Sequence, residues 1–281
     1  MTTVKTLIFL LLLLSTPLTR AELVLHWESD FDLTEKQKLT LWVRNAHQAV
    51  ENLVRPFPFS IDIHFHRAHS SYKPTRWANT IRSRRQGIRF YIDPSYSQQA
   101  LLDDWVAYHE FSHLLIPYLG LDNTWFAEGF ASFMQFQVMA SSSVLTTAEK
   151  ARAYQTRIDK ARRKFDLDHL PFVDAAATLR SRRDYPTMYW GGAVYFLNVD
   201  RSLKQRGRSV IDTLQAYAEC CRKHSADLPS LVQELDRLSN GRSFELELIR
   251  MQEKPGFPDT SADRGCRAPG TRHSARRHDH R

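Results

Sequence analysis

Two histidines four residues apart, with a glutamate directly after the first, are the residues of this 281-residue chain most able to do chemistry. Residues 105–113 read Trp-Val-Ala-Tyr-His-Glu-Phe-Ser-His. On a helix, His109 and His113 project from one face, one turn apart. That spacing lets two imidazoles reach a single tetrahedral zinc ion. Glu110 can approach the zinc-bound water without occupying a ligand position, as a general base must. A third protein ligand is then required, leaving the fourth place for water. Residues 125–131 read Trp-Phe-Ala-Glu-Gly-Phe-Ala, and Glu128 is the only carboxylate on a strongly apolar helix that runs on through Phe133 and Phe136. A buried carboxylate is costly unless it is paired or bound to metal. The expectation is therefore one zinc per chain held by His109, His113 and Glu128, with Glu110 beside it.

The elements that must position these residues fall into two layers. Residues 22–98 read as a small mixed α/β layer. Leu23-Val24-Leu25-His26-Trp27 is strand-like. Thr34 opens a helical pattern in which Leu39, Val43, Ala46, Val50 and Leu53 share a face. Pro56 and Pro58 end it. Ile61, Ile63 and Phe65 alternate with Asp62, His64 and His66, the pattern of a half-buried strand. His64 and His66 read as surface histidines, with a second metal site as the alternative. A polar loop rich in Arg and Ser follows, and its run Arg82-Ser83-Arg84-Arg85 reads as solvated. Gly87–Ile92 is a further strand.

Residues 99–253 read as almost only helix. One helix is expected over Leu101–Leu119 and one over Trp125–Ala140. A third starts at Thr146, where Glu149 three residues on completes a capping box. Further helices fit 186–206, 209–223 and 228–239. The fold class is thus α+β, a small N-terminal layer packed on a mostly helical body.

The two motifs together, HEFSH and then WFAEGFA, resemble those of the gluzincin zinc metallopeptidases, the aminopeptidase-N and glycyl aminopeptidase families and the smaller peptidase-MA-like proteins. The resemblance implies a thermolysin-like helical domain, a zinc cofactor and a peptide or protein substrate. It implies that His109, His113 and Glu128 are ligands and that Glu110 is the base. A further similarity lies at Tyr189-Trp190-Gly191-Gly192-Ala193. By that match Tyr189 would hold the oxyanion, although Gly191 stands where the family has Lys, and Tyr185 is the other candidate. The family's Gly-Ala-Met-Glu-Asn segment, which grips a substrate amino terminus, has no counterpart here; Asp93 is the one acid near its place. In such a fold the strand before the zinc helix can take an extended peptide at a sheet edge. The rival reading is a silent binding or assembly protein of the same fold with structural zinc, and a non-peptide hydrolase is a third.

Composition narrows the partners and the compartment. Of the net +8, residues 1–21 carry +2 and residues 261–281 carry +4, so the body between them is nearly neutral. No broad electrostatic footprint for nucleic acid is present. Lys5, the apolar run Leu7–Leu14 and the small-residue ending Thr19-Arg20-Ala21 have the layout of a secretory signal peptide, cleaved after Ala21. An exported protein, periplasmic or extracellular, with no membrane span after cleavage is expected. Three cysteines, Cys220, Cys221 and Cys266, do not make a disulfide scaffold. A bond from Cys266 to either of the other two is one reading and idle thiols the other. Residues 254–281 read as a basic, disordered tail, with His273, His278 and His280 solvated.

Overall fold

The computed structural model describes residues 22–260; the expected signal segment 1–21 and the tail residues 261–281, with Cys266 and the three tail histidines, lie outside them. Four strands form one sheet: β1 (Leu23–Trp27), β2 (Ile61–Arg67), β3 (Thr75–Arg82) and β4 (Gln86–Ile92), in the order β1-β2-β4-β3. β1, β2 and β4 run parallel, and β3 is antiparallel to β4 at the edge. The crossover from β1 to β2 is helix α1 (Leu33–Leu53). Its start is set by Asp32, one residue outside the helix. The Asp32 carboxylate accepts from the Glu35 amide, and the Glu35 carboxylate accepts from the Asp32 amide. Leu39, Trp42, Val43, Ala46 and Val50 of α1 are buried, as are Ile61, Ile63, Phe65, Ile88, Phe90 and Ile92 of the sheet. Leu53, placed on the same face by periodicity, is only half-buried.

The structure corrects the sequence reading of this layer twice. The polar stretch read as a loop contains β3, whose Thr80 pairs with Ile88 and whose Arg82 pairs with Gln86. Its main chain is held by β4, and only Thr75 of its eight side chains is buried, so no apolar alternation marks it. The strand expected at the edge, β4, is interior between β2 and β3. The free edge facing the helical body therefore belongs to β3.

The single helix expected over 101–119 is two helices. α2 (Gln98–Asp103) is capped by the Ser97 hydroxyl, and α3 (Val106–His113) follows after a break. Asp104 makes the break, its backbone extended at φ −73°, ψ 117°. Its buried carboxylate accepts from the Val106 amide at the start of α3 and from the Thr75 amide at the start of β3. One side chain thus satisfies an orphan donor of the zinc-motif helix and ties that helix to the edge strand.

The body continues with α4 (Thr124–Ser141), α5 (Thr147–Lys164), α6 (Phe172–Ser181), α7 (Tyr185–Lys204), α8 (Val210–Cys220), α9 (Leu228–Ser239) and α10 (Ser243–Glu253). The capping box at Thr146 and Glu149 forms as expected. α6 and α10 were not anticipated. Residues 254–260 are packed rather than tail-like: the Gly256 amide donates to the Leu170 carbonyl, and Phe257 is buried against Phe165 and Phe172.

α4 and α7 cross closely at two glycines. A Cβ built on Gly192 would lie 2.2 Å from the Trp125 carbonyl oxygen, and one on Gly129 2.3 Å from the Gly192 carbonyl carbon. Both clashes are with backbone, so no side chain can yield. Gly192→Ala is expected to cost about 1–3 kcal/mol by forcing the helices apart, read as a lower urea midpoint. A wild-type midpoint would show that the crossing is looser than drawn.

Candidate metal centre

α3 is buried on every side, and its His109 and His113 are buried with it. α4 lies across it and supplies Glu128. His109 Nε2 is 3.2 Å and His113 Nε2 3.5 Å from Glu128 Oε2. The three donor atoms lie within 4.8 Å of one another. With metal bonds of about 2.0–2.1 Å and tetrahedral angles, zinc ligand atoms stand roughly 3.4 Å apart, so these spacings fit a zinc ion. His109 Nδ1 also bonds the side-chain oxygen of Gln135 at 2.9 Å. That bond fixes the ring and leaves Nε2 for a metal, the usual device around ligand histidines.

The electrostatics follow from this burial. For Glu128, desolvation opposes the charge, but His113 and His109 outweigh it and hold the carboxyl well below its usual range. His109 is also desolvated, yet its bonds to Glu128 and Gln135 raise it. His113 has the longer contact to Glu128, and there burial wins and lowers it. Glu110 is 7% exposed and is not one of the three converging groups. Burial pushes its carboxyl up to about 7, against the pull of His109 and Arg82 and with the push of Glu128.

α7 brings Tyr189 to the same place. Its ring stacks on His109 with centroids 6.2 Å apart, and burial followed by the carboxylates of Glu128 and Glu110 raises its hydroxyl. Tyr185, the other candidate, is 42% exposed and meets Tyr189 rather than the histidines.

Comparisons with known proteins bear on the fold. No family model and no curated protein matches the sequence. Solved structures do match. A two-domain M1 zinc metallopeptidase mutant with bound L-arginine superposes with TM-score 0.51 and 10% identity, over 83% of this chain and 49% of that one. The Deinococcus radiodurans M1 zinc metallopeptidase mutant bound to a Tyr-Ser-Ala substrate gives 0.50 and 11%, over 83% and 49%. This chain has part of the M1 zinc metallopeptidase fold. It spans about half the length of those structures. At this identity the likeness to M1 enzymes concerns the fold alone; within it, the converging side chains are this chain's own.

Three residues around the cluster escaped the sequence reading. Gln135 lies two turns after Glu128, and an amide on the same face of that apolar helix was the available signal. Arg82 and Arg222 carried none. The Arg82 guanidinium donates to the carbonyls of His113 and Ile116 and to Gln86, and Arg222 donates to the Leu114 carbonyl and to Gln86. Both are largely desolvated, which lowers each to about 10. They satisfy the orphan carbonyls where α3 ends. Arg82 was expected in a solvated run and is instead a half-buried brace between β3 and α3. Arg85, in the same run, pairs with Asp62. Arg82→Leu should lower stability by about 1–3 kcal/mol, since buried acceptors lose their partner; an unchanged urea midpoint would remove it as a brace.

Other expected candidates lie elsewhere. Asp93 accepts from the Ser70 amide and from Ser95, which together offset its burial and hold its carboxyl at about 2. It is engaged in its own turn. Cys220 and Cys221 bond to each other, where the sequence offered a bond from Cys266 or idle thiols. α8 ends at Cys220, and the Cys221 amide still donates to the Tyr217 carbonyl.

Proposed function

We propose that this chain is a zinc-dependent metallopeptidase in which Glu110 is the general base. The observation that carries the reading is the tetrahedral spacing of His109, His113 and Glu128 next to a buried Glu110 that has no ligand role. When bound, zinc supplies Lewis acidity, making a water more acidic and polarising the scissile carbonyl. Glu110 takes the proton of that water on its carboxylate and delivers it to the departing amine nitrogen. Tyr189 donates its hydroxyl hydrogen to the oxygen that becomes negative. Gln135 holds His109 in one orientation, and the apolar walls around the cluster strengthen each of these interactions. The free edge of β3, tied to α3 through Asp104 and Arg82, offers main-chain groups to an extended peptide.

The test is cleavage of a peptide library by the purified protein with and without a chelator. Cleavage that survives full zinc removal would end the proposal. Tyr189→Phe should keep zinc and lower turnover by about one to three decades, because one oxyanion donor is lost while the charge is still shared. Wild-type turnover in that variant would take Tyr189 out of the mechanism.

Export belongs to the same proposal. Among the described residues no helix is long and apolar enough to cross a membrane. Amino-terminal sequencing of the mature protein should begin at Glu22; an intact Met1 on membrane-bound material would mean an anchor.

A further inference from the structure

The open face of the sheet carries a second gathering of metal-binding groups. The parallel register of β1 and β2 sets His26 directly beside His64. Side chains two apart on a strand share a face, so Glu28 and Asp62 join them. The two imidazoles stack with centroids 4.4 Å apart and planes at 11°. His64 Nδ1 lies 2.6 Å from a Glu28 oxygen. One donor atom from each of His26, Glu28 and His64 falls within a 4.8 Å span. The neighbouring His66, which the sequence grouped with His64, stacks on Tyr91 instead.

We propose that His26, Glu28 and His64 form a second metal site, for divalent ions that favour imidazole, such as nickel, copper or zinc. Two imidazoles and a carboxylate suit those ions, whereas magnesium and calcium prefer an all-oxygen shell. The surroundings resemble those of a ligand histidine. His26 Nε2 bonds Asp62 at 3.1 Å, and Arg85 holds both Asp62 oxygens, at 2.6 and 2.7 Å. A carboxylate on one ring nitrogen fixes the ring and leaves the other nitrogen, here Nδ1, as the donor. Parallel rings aim their lone pairs side by side rather than at one point. Binding therefore turns at least one ring out of the stack. The site is half-exposed, with side-chain accessibilities of 38% for His26, 23% for His64 and 40% for Glu28. It is therefore weaker than the buried centre and fills after it.

The experiment is nickel titration by calorimetry of protein already loaded with one zinc per chain. Wild type should take up one further equivalent of nickel. His26→Ala and His64→Ala should each abolish that uptake, and Asp62→Asn should weaken it roughly 10–100-fold, the usual effect of losing an orienting carboxylate. His66→Ala should bind as wild type does. Zinc content at the buried centre should stay at one in all four variants, which shows that each is folded. No nickel uptake by wild type, or wild-type affinity in either histidine variant, would overturn the proposal.

Discussion

Glu110→Gln is expected to keep both zinc and fold while lowering turnover by roughly two to four decades, the usual worth of a general acid–base group. Glutamine matches glutamate in shape, so the buried position stays filled. Glu110 is not one of the converging ligand groups, so its loss does not open the metal site. What disappears is the buried carboxylate beside the cluster that can receive a proton, whereas Glu128 is held in its charged form between the two histidines. Desolvation makes Glu110 more basic than an exposed glutamate and so better suited to take a proton from water. The measurement is elemental zinc beside turnover on a substrate from the peptide library. Wild-type turnover in metal-loaded Glu110→Gln would sink the mechanism. Equal zinc with no cleavage by the native protein on any peptide would favour the structural-zinc reading.

His113→Ala should abolish stoichiometric zinc and with it the stabilisation that metal confers. Ligand binding to the folded state adds about 4 kcal/mol when free zinc is a thousandfold above its Kd, and metal binding is linked to folding in this way. The variant also strips Glu128 of one of its two imidazole neighbours, leaving a buried carboxylate less compensated, which costs a further few kcal/mol. Elemental analysis and thermal unfolding with and without a chelator read both effects. Wild type should melt lower after chelation, whereas His113→Ala should melt at the same lowered temperature either way. Full zinc occupancy in His113→Ala would refute the ligand assignment.

The two predictions rest on residues that differ in how they could be found. His109 and His113 were legible because their relation is local: a helix of any length that includes both sets them on one face. Glu128 was legible because a carboxylate is out of place on its apolar helix. Tyr189 came from resemblance alone, and its stacking on His109 and its burial distinguish it from the exposed Tyr185.

The sequence by itself determined which chemical groups were available and which of them share an element's face, because helix and strand periodicity depend only on backbone geometry. Tertiary structure decided which elements meet. The Asp104 break, the antiparallel edge strand β3, the Arg82 and Arg222 brace and the Gln135 bond each join segments far apart in the chain. His26 and His64 are 38 residues apart and became neighbours only through strand register. Hydrogen-bonded pairing of main chains puts no pattern into side chains that stay exposed, as β3 shows. A half-buried arginine that caps a distant helix looks, residue by residue, like any solvated one until the carbonyls it serves are brought to it.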